Sequence, residues 1–216
     1  NPEVSPPARG GHTMTYDVAN DRMIVYGGFT APSYYANETF YQDTWAYDYN
    51  TNTWTNMSPS VNPPPLGTHG GAYDSESGKH IVFGGRYIGG LFSDIEDYVK
   101  IHFHQTWVYD YTTNTWTNMT TDVHPPKRGY PGITYNSRID RICMYAGLAG
   151  PNTFNDTWYY NYNENLWEYL NLSIVPGPRY YHSLDYDTES NVIVTYGGRD
   201  HYPGGELQTS TWIFHS

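Results

Sequence analysis

The stretch DTWAYDYNTNTWTNM (residues 43–57) returns almost unchanged as QTWVYDYTTNTWTNM (residues 105–119), with only three of the fifteen positions different. A looser copy, DTWYYNYNENLWEYL, begins at residue 156, and a partial one, STWIFHS, begins at residue 210. In each complete copy two tryptophans lie nine residues apart. The pattern accounts for all seven tryptophans of the chain: Trp45, Trp54, Trp107, Trp116, Trp158, Trp167 and Trp212. Repetition of this kind indicates a fold built from repeated supersecondary units.

A second phrase lies between the tryptophan pairs. It reads YDVANDRMIVYGG from residue 16, YDSESGKHIVFGG from 73, YNSRIDRICMYAG from 135 and YDTESNVIVTYGG from 186. Its Asp or Asn always precedes the first residue of the glycine pair by ten residues, and follows the second tryptophan by twenty. The interval from the second glycine to the next tryptophan varies instead, being 17, 22, 11 and 14 residues. The constant spacing predicts four units, over residues 8–57, 66–119, 127–170 and 178–216.

The composition favours strands over helices. The 216 residues include 24 Tyr and 7 Trp, with 21 Gly and 15 Pro between them. Aromatic and β-branched residues are enriched in strands, and Gly and Pro mark turns. Within each unit we place strand a before the Tyr–Asp turn, strand b before the glycine pair, strand c at the first tryptophan and strand d at the second. No stretch has helical periodicity, so one all-β domain is predicted.

The four units resemble the kelch repeat. A glycine pair that closes an apolar strand, a variable gap, a Tyr–Asp turn and the sequence TNTW carry the resemblance, which extends over essentially the whole chain. It implies a β-propeller, in which four-stranded blades surround a central channel. Four repeats imply four blades, of which the last lacks its outer strand d, either as one domain or as part of a larger propeller.

Single positions support the resemblance or depart from it. Three arginines match the arginine that often opens strand a of a kelch repeat, and three histidines match the polar position after it: Arg9, Arg128, Arg179, His12, His69 and His182. The departures are Leu66 in unit 2 and Pro131, Asn136 and Ala146 in unit 3. They make the units unequal without changing the predicted fold.

Most repeated residues are expected to be structural. The glycine pair allows backbone conformations or close approaches that a side chain would block. The first tryptophan of a unit is expected to pack between neighbouring blades, and the second to hold the outer hairpin. Asp48 and Asp110 are expected to accept N–H groups in the turns that follow them. Cys143, the only cysteine, lies in the apolar register of strand b and is predicted to be a core residue.

The connections are expected on two faces of the propeller. The a–b and c–d turns are short and constant, whereas the b–c connections differ in length and share the other face with the d–a connections. Variable loops on a rigid scaffold carry function, so this other face is the predicted binding face. The predicted ligand-binding residues are Arg9, Arg86, Arg128, Arg179, Arg199, Tyr87, Tyr130 and Tyr180, with further aromatic surface from Tyr34, Tyr35 and Tyr202. Such a set suits a protein loop or a glycan. Alternatively, the arginines satisfy channel carboxylates and carbonyls, and the tyrosines fill a tyrosine-rich fold.

No motif typical of an enzyme occurs. The stretch LFSDIEDYVKIHFHQTW (residues 91–107) contains Asp94, Glu96, Asp97, His102 and His104, but their spacing matches no metal site, and a solvated loop is expected. Some kelch-like propellers are copper radical oxidases, which need a Tyr–Cys cross-link, whereas the one cysteine here lies inside a strand. No two acids are placed for glycoside hydrolysis, and no phosphate loop is present. No cofactor and no metal are predicted.

Charge and sequons bear on partners and location. The net charge of −11 disfavours nucleic acid and anionic membrane surfaces. No apolar run approaches the roughly 18 residues of a membrane span. Five N-x-[ST] sequons are candidate N-glycosylation sites: Asn37, Asn56, Asn118, Asn155 and Asn171. Together with the low lysine and high tyrosine content, they favour an extracellular or cell-surface location.

The two ends suggest a missing neighbour. The chain begins NPEV and its fourth unit stops one strand short, which indicates a processed piece. The open edge of the last blade is expected to pair with another copy or with the remaining blades of a larger propeller. Three functions are compatible with the sequence: a module that binds a protein or glycan, a self-assembling component of a surface layer or filament, and a carbohydrate-active enzyme domain. The first is the one that the sequence favours.

Overall fold

The computed structural model describes residues 2–30, 39–88 and 100–215. Every regular element within these ranges is a β-strand, which confirms the all-β prediction. Nothing in these ranges forms a helix of the length and apolarity that crossing a membrane requires.

Units 1 and 2 share one plan. Unit 1 contains β1 (Thr13–Asp17), β2 (Arg22–Tyr26), β3 (Phe29–Thr30), β4 (Thr39–Phe40), β5 (Thr44–Asp48) and β6 (Thr53–Asn56). Its antiparallel sheet has the order β1-β2-β5-β6, and β3 and β4 form a short ribbon within the b–c connection. Unit 2 contains β7 (Gly70–Asp74), β8 (Lys79–Phe83), β9 (Arg86–Ile88), β10 (Lys100–His102), β11 (Thr106–Asp110) and β12 (Thr115–Asn118). Its sheet has the order β7-β8-β11-β12, and β9 pairs with β10.

Units 3 and 4 vary this plan. Unit 3 contains β13 (Gly132–Asn136), β14 (Arg141–Ala149), β15 (Asn152–Asn161) and β16 (Leu166–Leu170). Sheet and ribbon are continuous there, because β14 passes through a bulge between Tyr145 and Gly147. Unit 4 contains β17 (Tyr180–Asp187), β18 (Val192–Arg199) and β19 (Thr211–His215), in one three-stranded sheet. The four sheets are the blades of a β-propeller, and the last blade has three strands within the described residues, in the order β17-β18-β19.

A recurring tyrosine explains the tight turns. Six tyrosine hydroxyls each donate to an Asp or Asn side chain five residues later, over 2.8–3.0 Å: Tyr16 to Asp21, Tyr47 to Asn52, Tyr109 to Asn114, Tyr135 to Asp140, Tyr160 to Asn165 and Tyr186 to Asn191. All six acceptors have φ between 49° and 56°, the left-handed region that Asp and Asn tolerate better than other residues with a side chain. The hairpins therefore require both residue types, which accounts for part of the tyrosine content.

Two further structural expectations are confirmed. Asp48 accepts the N–H of Asn50 at 2.8 Å, and Asp110 accepts that of Thr112 at 2.9 Å, as expected of aspartates that begin turns. Cys143 is buried in the core, and this burial raises the pKa of its thiol to about 12. A thiol in that environment stays protonated and is shielded from reagents.

The apolar core lies between consecutive blades. Trp107 belongs to the cluster between blades 1 and 2, which confirms that a first tryptophan packs between blades. The second tryptophan is expected to hold its own outer hairpin, and in the structure it also contacts the preceding blade. The ring of Trp116 lies 4.7 Å from that of Tyr26 in blade 1, and its indole N–H donates to the Thr44 hydroxyl at 2.9 Å. This tryptophan therefore joins two blades, and Trp167 does the same one blade later.

Candidate functional site

The glycine pairs direct the chain towards one face of the propeller. The second glycine of each pair has φ between 91° and 113°, and a Cβ on Gly198 would lie 2.8 Å from the Tyr180 carbonyl oxygen. Both observations require glycine, since the start of strand a lies against the pair. The residue after the pair then bridges to that start, as Arg86 does to Gly67. Arg86, Leu148 and Arg199 hold this same position in blades 2, 3 and 4.

These three residues meet in a cleft of about 370 Å³, which we call the loop-face cleft. Its lining residues are Arg86, His102, Tyr130, Leu148, Gly150, Tyr180, Tyr181, Arg199, Tyr202 and Gly204. Four of the eight predicted ligand-binding residues are among them: Arg86, Tyr130, Tyr180 and Arg199. Blades 2, 3 and 4 therefore contribute to one site, and the residues come from segments far apart in the sequence.

Two tyrosines that line the cleft have an uncommon backbone conformation. Tyr130 and Tyr181 have φ of 56° and 61°, where a bulky side chain is rarely found. Their rings meet edge to face with centroids 4.3 Å apart. The N–H of Tyr130 donates to the Thr68 carbonyl at 2.6 Å, so the neighbouring blade holds this conformation. Strain kept in place by surrounding structure is a feature of functional sites.

Tyr181 was missed by the sequence reasoning, although 63% of its surface is exposed. A signal for it exists. Aligning the units places Tyr181 in the register of Tyr130, one residue before the position held by His182 and Pro131. Leu148 was missed as well, because an apolar residue carries no chemical signature. Its place in the cleft follows from its alignment with Arg86 and Arg199.

The cleft presents hydrogen-bond donors and positive charge. Arg199 lines it while one guanidinium N–H donates to the Gly205 carbonyl at 2.7 Å. The Arg86 guanidinium lies 4.8 Å from the centroid of the Phe29 ring. Burial, followed by a hydrogen bond with Tyr130, raises the pKa of Tyr181, so its hydroxyl stays protonated at neutral pH. Arginine and tyrosine donors together suit an acceptor-rich or anionic group.

The other three predicted arginines lie beneath this face, in structural contacts. Arg128 donates to both carboxylate oxygens of Asp156, at 2.5 and 2.7 Å, and to the Ala146 carbonyl. Arg9 pairs in the same way with Asp43. Arg179, 1% exposed, donates to the carbonyls of Gly177 and Gly197. These contacts follow the alternative expectation, that such arginines satisfy carboxylates and carbonyls.

The remaining candidates are dispersed. Tyr87 packs against Phe40 of blade 1, with ring centroids 5.2 Å apart, and does not line the cleft. Tyr202 lines it. His102 also lines it, whereas the ring of His104 stacks on that of His124 at 4.2 Å. Tyr34, Tyr35, Asn37, Asp94, Glu96 and Asp97 lie outside the described residues.

The described sequons are all exposed at their asparagines: Asn56, Asn118, Asn155 and Asn171. The side-chain oxygen of Asn118 accepts the N–H and the hydroxyl of Thr120, and that of Asn56 makes the same bonds with Ser58. Exposure is compatible with glycosylation, and both the modification and an extracellular location stay predictions.

Among the described residues, three carboxyl groups lie close enough together to hold a cation, those of Asp74, Glu76 and Asp140 on the opposite face. The Asn163 side-chain amide donates to Asp140 at 3.0 Å, which already supplies a donor there. Within the described lining of the loop-face cleft there is no carboxylate, serine or cysteine. The described lining consists of arginine, histidine and tyrosine side chains together with Leu148 and two glycines.

The chain is similar to proteins of one repeat family. A family model described as the KLHDC2/KLHL20/DRC7 Kelch-repeats domain matches residues 2–198. Kelch domain-containing protein 1 of Mus musculus is 24% identical over 202 residues, which cover 85% of this chain and 47% of that protein. The flagellar outer-arm dynein alpha chain of Chlamydomonas reinhardtii is 24% identical over 213 residues, covering 91% of this chain and 4% of that protein. Dynein regulatory complex subunit 7 of the same organism is 31% identical over 86 residues, covering 39% of this chain and 7% of that protein. The chain thus spans less than half the length of each of these relatives.

Proposed function

Because the chain belongs to the Kelch-repeat family, whose propellers are typically non-catalytic interaction domains, we propose that it binds a segment of another protein in the loop-face cleft. The observation that carries the proposal is the convergence of Arg86 and Arg199 with four tyrosines on one concave surface. The few residues that contribute most of the binding energy in protein interfaces are enriched in Trp, Tyr and Arg.

The chemistry of the cleft favours one kind of segment. Tyrosine rings offer flat apolar surface together with hydroxyl donors, and the arginines offer charge-assisted donors. A turn or extended segment that contains an acidic group complements both. The relation to a dynein regulatory complex subunit supports a role within an assembly of proteins.

A displayed peptide library tests this function. We expect the chain to select peptides with acidic residues, and Arg199→Ala and Tyr181→Ala each to weaken binding about tenfold or more, equivalent to at least 1.4 kcal/mol. Arg138→Ala is the matched control. It removes the same charge from an exposed side chain next to Asn136, at the a–b turn on the opposite face.

Two outcomes would contradict the proposal. Selected peptides that bind all three variants equally would place the binding surface elsewhere. Selection of glycans from an array, with no peptide selected, would instead support the glycan alternative for the same residues.

Self-association is a second candidate function, favoured by the two outermost blades. In blades 1, 2 and 3 one side of the sheet faces the following blade, and the strand b aromatic is buried there: Tyr26 is 2% exposed and Phe83 and Tyr145 are 0% exposed. Tyr196 holds the same position in blade 4 and is 55% exposed, as is Ile213 beside it. Blade 1 exposes Met14 on its opposite side, at 55%. In the described residues these two exposed sides correspond to the two halves of an interface between blades, which favours head-to-tail contact between copies of this chain.

Sedimentation velocity over a wide concentration range checks this candidate. We expect concentration-dependent oligomers that Ile213→Lys dissociates and Val61→Lys, at an exposed apolar residue outside both sides, leaves intact. A monomer at every concentration would exclude it.

A further inference from the structure

A second cavity, which we call the turn-face pocket, lies at the opposite end of the strands a from the loop-face cleft. It has a volume of about 360 Å³, and β1, β7, β13 and β17 all contribute to its wall, so every blade takes part. In each blade the tyrosine that precedes the a–b turn lines it: Tyr16, Tyr73, Tyr135 and Tyr186. The pocket shares no lining residue with the loop-face cleft.

Most hydroxyl groups of this pocket use their protons within the protein. Nine lining residues carry a hydroxyl, and six of them donate to another side chain over 2.5–3.2 Å. The four tyrosines donate to Asp21, Asp17, Asp140 and Asn191, and Thr134 donates to Asp185. Thr15 is the sixth donor, since its hydroxyl lies 2.5 Å from Nδ1 of His80, whose Nε2 faces the Asp17 carboxylate at 3.3 Å. A carboxylate only accepts, so Nε2 of the histidine carries the proton and Nδ1 accepts from the threonine.

What these six groups still offer to a ligand is acceptor lone pairs, because a hydroxyl that donates keeps the lone pairs of its oxygen. Burial, followed by the hydrogen bond to Asp17, raises the pKa of Tyr73 to about 12, so this hydroxyl retains its proton at neutral pH. The pocket also contains one carboxylate, Asp185, which takes part in none of the ion pairs among the described residues. Aromatic rings, acceptor oxygens and one uncompensated negative charge together complement a cation that carries several donors.

The turns around the pocket carry negative charge as well. Seven a–b and c–d turns form this face of the propeller: residues 17–22, 48–53, 74–79, 110–115, 136–141, 161–166 and 187–192. They contain ten acidic and four basic residues. Two of the four bases, Arg22 and Lys79, already pair with Asp48 and Asp110. The face therefore attracts a positively charged partner, whereas the loop-face cleft presents arginines and has the opposite preference.

We propose that the turn-face pocket is a docking site for a segment of a partner protein that presents an arginine side chain. The guanidinium group pairs with the Asp185 carboxylate and donates its other N–H groups to the tyrosine and threonine oxygens. Its plane stacks on a tyrosine ring, which favours arginine over lysine. The carboxylate is held in place for this contact, because its Oδ1 accepts the Thr134 hydroxyl at 3.2 Å and the N–H of Tyr186 at 2.8 Å. The site is independent of the function proposed for the loop-face cleft.

Peptides selected from a displayed random library supply the probe and test the site. The selection uses the full chain with Arg199→Ala, which weakens binding in the loop-face cleft. Each selected peptide is then synthesised a second time with citrulline, a neutral isostere, in place of arginine. We expect the selected peptides to contain arginine, and their citrulline versions to bind about tenfold more weakly or worse, because the charge-assisted bonds to the carboxylate are lost.

Asp185→Asn separates the pocket from the general charge of this face. The variant keeps the side-chain oxygen that accepts from Thr134 and Tyr186, so it should fold. We expect it to weaken the arginine peptides about tenfold. Glu189→Gln is the matched control, since it removes the same charge from an exposed residue of the adjoining turn that does not line the pocket, and it should change their affinity less than about twofold. Selected peptides that lack arginine, or that respond equally to the two variants, would overturn the proposal.

Discussion

Arg128 and Asp156 show at the scale of single residues how two changes in a repeat can occur together. Their ion pair in blade 3 has its counterpart in Arg9 and Asp43 of blade 1. Blade 2 has Leu66 in the arginine position and Gln105 in the acid position, so both charges are absent together. The sequence displays Leu66 as a departure from the repeat. The partner of Arg128 lies 28 residues away on another strand, and only the fold brings the two together.

Blade 3 should therefore tolerate the two residues of blade 2 when they are introduced together, as Arg128→Leu and Asp156→Gln. Arg128→Leu alone should be destabilising. We expect Arg128→Leu alone to lower the free energy of unfolding by about 3 kcal/mol, because Asp156 loses its buried countercharge. Adding Asp156→Gln should recover most of this loss. Urea unfolding of the two variants and of Asp156→Gln alone gives the coupling energy, and additive losses would contradict the pairing.

The tyrosine hydroxyls of the hairpins permit a second test at this scale. Tyr109→Phe keeps the buried ring and removes the hydroxyl that donates to Asn114 at 2.8 Å. We expect a loss of about 1 kcal/mol in the free energy of unfolding, the usual contribution of one such bond, as measured by urea titration. Tyr49→Phe, at a residue 80% exposed, serves as the control and should be neutral.

At the scale of elements, the strands were predictable because their signals are local. The Tyr–Asp turn, the glycine pair and the two tryptophans each recur at fixed intervals, and these intervals gave the number and order of strands in every blade. The members of the cleft were less predictable. Arg128 lies in a connection and Arg199 at the end of β18, and Arg128 is fully buried whereas Arg199 lines the cleft, since tertiary contacts decide their burial.

The second tryptophan of each unit offers a matched comparison between elements. Trp116 packs against Tyr26 of the preceding blade, whereas Trp54 packs on Tyr47 of its own. We expect Trp116→Phe to lower the free energy of unfolding by about 2 kcal/mol, from the lost bond to Thr44 and the lost volume. Trp54→Phe should cost less than about 1 kcal/mol. Equal costs in chemical unfolding would show that the contact between blades contributes little.

At the scale of the whole molecule, stability depends on contacts between blades, and several of these contacts contain a neutral histidine. The His69 ring nitrogen lies 3.0 Å from the Thr13 hydroxyl of the preceding blade. His182 packs edge-on against Tyr145 of blade 3, and both its ring nitrogens are buried without a partner. Burial lowers the pKa of His69 to about 3 and that of His182 to about 4. Protonating either one places a charge inside an interface.

The free energy of unfolding should therefore fall as the pH falls below about 6.5, where an unfolded histidine takes up a proton. The folded protein cannot take up that proton until the pH nears 4 at His182, so the loss accumulates between these values. His182→Phe removes this contribution without breaking a hydrogen bond. Relative to the unchanged protein, we expect the variant to gain about 2 kcal/mol more at pH 5 than at pH 7. Denaturant unfolding at both pH values measures the difference, with His215→Phe, at an exposed histidine, as the control. The same gain at both pH values would show that His182 titrates normally in the folded protein.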